Sequence, residues 1–373
     1  MSKDRNSELD WLRVGLIFAV FLHHVFMPFN GDDWHVMNND SSKLLDDIMV
    51  YFEQLRLPVL FFIAGAGSLI LLQKTNPKSF LISKFHRLFI PLIVGMMLIV
   101  PPQSYFEHIN DYDSLLQAYQ RLLFSFESNH LWFIEFLIVF MVLAVPVSLF
   151  LRGNTEGVLI EKIEQLAVVK HGLFSLVILV LIIRCSLKLL FPSENHGIEN
   201  LSVSVFYLLF FLAGMCFIKS PKIWQAAEEN RRTNLKWLVV SSVIFYAYYF
   251  LPELRQYVSV QVRWMLWWSV CTLLSWSGLL VLLGYAIRYC KNTPAWLLSA
   301  NELIYPFYIL HQTIIVALAF YIIQWDAGIA VKSMSVLFGS FLVCAGICLF
   351  IIKPIGILRY LFGLKNKASA YNK

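Results

Sequence analysis

Charge is what this sequence has least of. Only 14% of its 373 residues are Asp, Glu, Lys or Arg, whereas ordinary soluble domains carry roughly a quarter. Hydrophobic residues make up 58% of the chain, so it cannot supply a surface that faces water on all sides. The composition excludes a water-soluble globular protein, and the net charge of +6 does not indicate nucleic acid binding, because its placement along the chain explains it better.

The cysteine patterns of metal sites and disulfide frameworks are missing as well. The six cysteines all lie within or at the ends of apolar segments, and none forms a Cys-x-x-Cys pair. We therefore expect neither a metal site nor a disulfide framework. No cleavage site follows the first apolar run, which contains Arg13, His23 and His24, so we interpret it as a retained first helix and not as a secretory signal.

Long apolar runs recur along the whole chain. Ten of them are close to or above the roughly 18 residues that cross a hydrocarbon core of about 30 Å as a helix. The predicted spans are 12–29, 47–73, 88–106, 130–151, 172–191, 201–218, 236–251, 263–287, 302–323 and 334–353. The sequence predicts an all-α, polytopic transmembrane helical bundle of about ten helices in a lipid bilayer. We expect a single membrane-embedded domain over residues 1–373, with a short cytoplasmic tail at 354–373.

The basic residues are unevenly distributed between the two sides of the predicted bundle. With the N-terminus placed inside, the segments on that side hold most of the 30 Lys and Arg residues. The outside loops keep only five, which are Lys43, Arg121, Arg255, Arg263 and Lys332. Because cytoplasmic loops are enriched in basic residues, both termini are predicted to be cytoplasmic.

Several predicted spans carry ionisable side chains. Such groups cost about 2.5 to 3.5 kcal/mol each at the bilayer centre and mark functional sites by default. They include His24 in the first span, Glu53 and Arg56 in the second, Glu135 in the fourth and His311 in the ninth. Their depths place them in one layer, which favours a water-accessible cavity. A structural ion pair between Glu53 and Arg56, three residues apart on one helix, stays open as an alternative.

The first span aligns two of these polar groups on one face. At 100° per residue, the eleven-residue step from Arg13 to His24 ends about 20° from a whole number of turns and about 16 Å further along the helix. Burial disfavours a charged ring, so we expect a neutral imidazole at His24 that is able to accept a proton. Two alternatives remain. His24 could be a purely structural histidine, and Arg13 could be a cation at the end of the helix whose side chain reaches toward water.

Short motifs in a fixed order strengthen this interpretation. Arg13, ten intervening residues and His24, preceded by Asp10-Trp11-Leu12, resemble the helix-1 signature of the integral membrane acyltransferase-3 superfamily. Further segments similar to that superfamily or to its glucan-biosynthesis branch are Trp34-His35, 57–65 (LPVLFFIAG), 84–87 (KFHR) with Ile90-Pro91, 101–107 (PPQSYFE), 130–133 (HLWF) and 305–312 (YPFYILHQ). The sequence departs from the family at Ala64, where a serine is usual.

The resemblance implies an activity. Members of this family transfer an acyl group, here from cytoplasmic acetyl-CoA or succinyl-CoA, to a hydroxyl group of a carbohydrate outside the plasma (inner) membrane. The acyl-CoA is a donor substrate, and no bound cofactor is expected. The resemblance does not determine whether a glycan synthase is a partner.

The resemblance also implies roles for particular residues. His24, with Arg13 on the same face, would be the catalytic pair, and His24 would remove the acceptor proton. Lys84 and Arg87 would hold the phosphates of the donor through charge-assisted hydrogen bonds, although membrane topology alone also explains two basic residues there. Residues expected to orient the acceptor or His24 are Glu53, Arg56, Glu135, His35 and His311.

A secondary transporter is the rival from another functional class. Its substrate would be a polar or acidic solute, and His24, Glu53 and Glu135 would form a proton relay. Such transporters often contain two related halves with Gly or Pro interruptions at corresponding positions. The sequence shows no such symmetry, which favours the acyltransferase.

Overall fold

The computed structural model describes residues 6–152, 156–193, 195, 197–251 and 254–365. Throughout these residues the regular structure is helical, without strands. In chain order the helices are α1 (Ser7–Asn30), α2 (Lys43–Lys74), α3 (Pro77–Glu107), α4 (Leu115–Leu122), α5 (Asn129–Phe150), α6 (Glu156–Val168), α7 (Gly172–Leu190), α8 (Leu201–Lys219), α9 (Pro221–Glu229), α10 (Arg231–Tyr249), α11 (Leu254–Tyr257), α12 (Val260–Tyr289), α13 (Ala295–Ile322), α14 (Ile329–Ile352) and α15 (Gly356–Leu361). The all-α prediction is confirmed.

All ten predicted spans lie on helices. Among the described residues, nine helices are long and apolar enough to cross a membrane, which are α1, α2, α3, α5, α7, α8, α12, α13 and α14. The tenth predicted span lies on α10, which is helical but less apolar because its first two turns carry Arg231, Arg232 and Lys236. The chain is therefore a multi-pass membrane protein.

The chain divides into two compact units. The first unit contains Met1–Arg13, Tyr51–Phe80 and Val139–Thr293, and the second contains Val14–Val50, Leu81–Ile138 and Pro294–Lys373. Boundaries between the units fall inside the helices α1, α2, α3 and α5. The assignment of a single functional domain stays a prediction.

The first unit depends on close approach of helix backbones. A Cβ atom added to Gly65 on α2 would lie 1.9 Å from the carbonyl oxygen of Phe211 on α8, and one added to Gly214 would lie 2.0 Å from that of Phe62. Small residues allow membrane helices to approach this closely. These two glycines therefore fix the crossing of α2 and α8.

Prolines inside helices free backbone carbonyl groups, and neighbouring side chains bind them. Proline has no N–H to donate to the carbonyl four residues earlier. In the first unit, Pro58 frees the carbonyl of Gln54, which accepts a hydrogen bond from Ser275 Oγ on α12 at 2.7 Å. In the second unit, Pro102 frees the carbonyl of Leu98, which accepts one from Tyr119 Oη on α4 at 2.8 Å.

Helix α3 in the second unit is not a uniform α-helix. It contains two π-helical turns, Phe85–Phe89 and Gly95–Ile99. Such turns often lie at functional sites. Gly95 also lets α5 approach, because a Cβ atom there would lie 2.5 Å from Leu131 Cδ1.

The end of the described chain folds back onto the start of α3. Gly363 adopts a left-handed conformation (φ 72°), and a Cβ atom there would lie 2.7 Å from the carbonyl oxygen of Arg87. Arg359 on α15 is buried and donates a hydrogen bond of 2.8 Å to Glu302 Oε1. Part of the predicted tail is thus packed on the second unit, and residues 366–373 lie outside the described residues.

Candidate active site

Helix α1 carries Arg13 and His24 without interruption. His24 is half-buried, and its Nδ1 lies 2.8 Å from Nε2 of His311 on α13. The two histidines are 287 residues apart in the sequence, and both were predicted as site residues. The structure brings these two together in the second unit.

The hydrogen-bond network assigns the proton positions on this pair. His311 Nδ1 lies 2.5 Å from the carbonyl oxygen of Tyr308, and a carbonyl only accepts, so His311 Nδ1 carries the hydrogen. A neutral His311 then has its lone pair on Nε2, which accepts from His24 Nδ1–H. In this tautomer, assigned from the network, the lone pair of a neutral His24 is on Nε2.

A third ring, His130 on α5, packs against the pair. His130 is 5% exposed and stands perpendicular to His311, with ring centroids 5.4 Å apart and an interplanar angle of 89°. Its Nε2 donates to the carbonyl of Ile309 at 3.1 Å. The other ring nitrogen, Nδ1, is buried and has no hydrogen-bond partner among the described residues. His130 therefore offers an acceptor atom that a bound hydroxyl group or water would satisfy.

A fourth ring, His35, lies in the loop after α1. Its Nδ1 lies 2.5 Å from Glu107 Oε2 at the end of α3. Its Nε2 lies 2.9 Å from the amide nitrogen of Gln103 and 3.0 Å from that of Gln312. Amide nitrogens only donate, so Nε2 accepts and Nδ1–H donates to the carboxylate. We call His24, His35, His130 and His311 the histidine cluster.

Two further side chains lie near the cluster. The indole of Trp34 stacks on His24 with ring centroids 6.3 Å apart and an interplanar angle of 11°. Glu135, predicted as an orienting residue, is half-buried on α5 and interacts electrostatically with Tyr308. Both residues belong to the second unit.

The predicted donor-binding residues lie near the start of α3. Lys84 is half-buried, and Arg87 is exposed within the first π-helical turn, where its Nε donates to the carbonyl of Gly363 at 3.3 Å. Arg13 lies in the first unit and forms an ion pair of 3.6 Å with Asp10.

Glu53 and Arg56 were predicted in the same layer as His24. The structure assigns both to the first unit, whereas the histidine cluster belongs entirely to the second. Glu53 is exposed, and Arg56 is only 5% exposed. Glu53 lines a cavity of the first unit, which is described below, and Arg56 interacts electrostatically with Glu53.

Comparison with known proteins supports the motif assignment. A profile of the acyltransferase-3 family, described as an acyltransferase domain, matches residues 6–353. The chain belongs to the acyltransferase-3 family. The membership predicted from the motifs is confirmed.

The curated relatives of this acyltransferase-3 protein are distant in sequence. The Glucans biosynthesis proteins C of Escherichia coli K12 and of Shigella dysenteriae serotype 1 are each 26% identical to it over 223 residues. The aligned region covers 56% of this chain and 57% of each relative, so the chain spans little more than half the length of the curated relatives it matches. No solved structure matches the chain.

Sequence reasoning missed several residues of the histidine cluster and its surroundings in this acyltransferase-3 protein. They are Trp34, Gln103, Glu107, His130 and Gln312. Each lies inside a segment that resembles the family, so the motifs contained the signal. Those segments served to identify the family, and only some of their residues, such as His35 and His311, were selected as site residues.

Proposed function

We propose that this protein transfers an acyl group from cytoplasmic acetyl-CoA or succinyl-CoA to a carbohydrate hydroxyl at the outer face of the plasma membrane, with both termini in the cytoplasm. Membership of the acyltransferase-3 family supports acyl transfer, and the names of the curated relatives support a glucan as acceptor. The observation that carries the proposal is the chain of hydrogen bonds from His24 through His311 to the Tyr308 carbonyl.

The tautomer of His24 suggests how the reaction proceeds. His24 Nε2 removes the proton from the acceptor hydroxyl while that oxygen attacks the thioester carbonyl. The resulting tetrahedral intermediate collapses, the C–S bond breaks, and the proton passes from His24 to the departing CoA sulfur. A positioned base of this kind contributes typically 10²- to 10⁴-fold to the rate.

His311 is a positioning residue in this mechanism. When His24 becomes an imidazolium, its Nδ1–H makes a charge-assisted hydrogen bond to His311 Nε2, which is stronger than the neutral one. The Tyr308 carbonyl keeps the hydrogen of His311 on Nδ1, so Nε2 remains an acceptor throughout. This arrangement holds the ring of His24 in one orientation.

The acceptor carbohydrate would bind beside the cluster. Trp34 offers an aromatic face, and His35 is held by Glu107, Gln103 and Gln312. His130 Nδ1 is a buried acceptor that still requires a donor. A sugar matches this environment because it presents apolar ring faces and hydroxyl donors. Glu135 lies in the same unit and is proposed as a further acceptor-side residue.

The donor would bind at the start of α3. Lys84 and Arg87 present positive charge there. The phosphates of CoA suit charge-assisted hydrogen bonds from these groups. Arg13, about 16 Å along α1 from His24, is proposed as a further donor-side residue.

The proposal is tested by supplying membranes with labelled acyl-CoA and measuring label in extracytoplasmic carbohydrate. Wild type should transfer label and His24→Ala should not, at equal expression. His23→Ala is the matched control, because His23 is a half-buried histidine on another face of the same helix, and it should keep its activity. Equal transfer by wild type and His24→Ala would contradict the proposed base. Solute uptake that needs no acyl donor would favour the transporter.

A further inference from the structure

The first unit contains a polar cavity that the proposed acyl transfer does not use. Its volume is about 210 Å³, and its walls come from α2, α7, α8 and α12. Charged, hydroxyl and aromatic groups share the wall, including Glu53, Arg184, Lys188, Ser202, Phe206 and Trp267. We call it the cation-lined cavity.

Two cations in its wall are held in fixed positions. Arg184 lies with its guanidinium carbon 3.9 Å from the ring centroid of Phe206, and its Nη1 donates to Thr272 Oγ1 at 2.9 Å. Lys188 is 1% exposed, and its Nζ donates to the carbonyl of Ser193 at 2.6 Å. Both side chains are therefore oriented before any ligand arrives.

The guanidinium groups keep unused donors. Nε of Arg184 is buried and has no hydrogen-bond partner among the described residues. The same holds for Nε of Arg56, which is 5% exposed and interacts electrostatically with Glu53 and Tyr207, both of which line the cavity. Buried donors are nearly always satisfied in folded proteins, by protein groups, water or a ligand. Arg184 lies in the cavity wall, so an oxygen atom of a bound ligand would satisfy its Nε–H group.

The charge of the wall decides the kind of ligand. Glu53 is the one carboxylate among the described lining residues, and it interacts electrostatically with Arg56. Arg184 in the wall donates to uncharged groups, the carbonyl of Trp268 and Thr272 Oγ1, and a cation without an opposite charge inside a membrane protein is costly and usually functional. An anionic oxygen group would both balance the charge of Arg184 and accept its free Nε–H group.

We propose that the cation-lined cavity binds a phosphate or carboxylate group. A lipid headgroup and a small water-soluble anion share this chemistry. The proposal does not rest on the acyl transfer, since it invokes no residue of the histidine cluster.

The test uses the full-length protein purified into phosphatidylcholine nanodiscs. In one arm, binding of inorganic phosphate and of glycerol 1-phosphate is measured by the rise in melting temperature as each is titrated. In the other, phosphatidylglycerol is added to the nanodiscs, and the lipid retained on the protein is counted by native mass spectrometry. Binding in the first arm assigns the site to a soluble anion, and binding only in the second assigns it to a lipid headgroup.

Three variants give different expected results. Arg184→Gln should weaken binding roughly tenfold or more, the size expected for a charged hydrogen bond. Glu53→Gln should tighten binding, because it removes the opposing negative charge from an exposed position. Arg263→Gln is the matched control. The Nε of Arg263 is also buried without a partner among the described residues, but Arg263 does not line the cavity. This variant should bind the anion as tightly as wild type.

Opposite effects of the first two variants cannot arise from a general loss of structure. If Arg184→Gln does not fold, the tighter anion binding expected for Glu53→Gln still tests the proposal. The proposal is overturned if wild type binds neither phosphate probe nor phosphatidylglycerol. It is equally overturned if Glu53→Gln binds no more tightly than wild type, or if Arg184→Gln and Arg263→Gln behave alike.

Discussion

The histidine cluster and the cation-lined cavity are both polar groups inside a membrane protein, but their hydrogen bonding differs. In the cluster, the N–H groups of His130 and His311 donate to backbone carbonyls, and the pair of His24 and His311 forms a directed chain. At the cavity, Nε of Arg184 in the wall and Nε of Arg56 beside it are buried and have no acceptor in the described part of the chain. The first arrangement suits proton transfer by an oriented neutral ring, and the second suits binding of an anion. Polar residues inside a membrane protein therefore do not all indicate the same kind of function, and the two units illustrate two different kinds.

The largest expected effect separates the two regions directly. His24→Ala should lower acyl transfer by about 10²- to 10⁴-fold, because it removes the proposed base. Binding of phosphate or phosphatidylglycerol by the same purified variant should equal that of wild type. Transfer is measured with labelled acyl-CoA, and binding by melting temperature and native mass spectrometry. A variant that loses both properties would show that the two regions are not independent.

The next effect concerns the orientation of His24. His311→Ala should lower kcat by about 10²-fold, the lower end of what a positioned base contributes, and leave the donor KM unchanged. His311→Gln should recover part of the loss, because its amide oxygen can accept the hydrogen bond from His24 Nδ1–H. Steady-state kinetics in membranes provide both constants. If Gln is as damaging as Ala, His311 contributes through packing and not through the tautomer.

The lengths of the apolar runs predicted the helices well. A span needs enough apolar residues to cross the bilayer, and this requirement is visible in any single sequence. The π-helical turns of α3 and the division into two units were not predictable in this way. They depend on how helices pack, for example on the backbone contact of Gly65 with Phe211, and a lone glycine in a sequence does not specify its neighbour.

The site was predicted in part, for a related reason. His24 and His311 were identified separately because each is an ionisable group within a span, yet their contact depends on the rotation of α1 and α13 about their axes. Glu53 and Arg56 were grouped with His24 by depth along the membrane normal. Depth does not specify which unit of the chain a residue belongs to, and the structure assigns Glu53 and Arg56 to the first unit. Neutral partners such as Gln103 gave no comparable energetic signal.

A third variant tests the packing of the unit that holds the cavity. Gly65→Ala places a Cβ atom against the Phe211 backbone, and overpacking of this kind typically costs about 1 to 3 kcal/mol of stability. Gly15→Ala is the matched control, since a Cβ added there meets no described atom within 4 Å beyond the adjacent backbone of α1, and it should be neutral or slightly stabilising. Thermal unfolding in nanodiscs measures both. Equal melting temperatures would show that α2 and α8 do not cross at Gly65.

The smallest expected effect lies at the donor end of the second unit. Lys84→Ala combined with Arg87→Ala should raise the KM for acyl-CoA about tenfold, or roughly 1.4 kcal/mol, and change kcat less. The effect is modest because Arg87 is exposed, and solvent weakens its attraction for phosphate. Lys78→Ala is the control, because it removes an exposed positive charge from the first turn of the same helix without altering the proposed site. An unchanged KM in the double variant would mean that these two charges serve membrane topology alone, and the donor would then have to bind elsewhere.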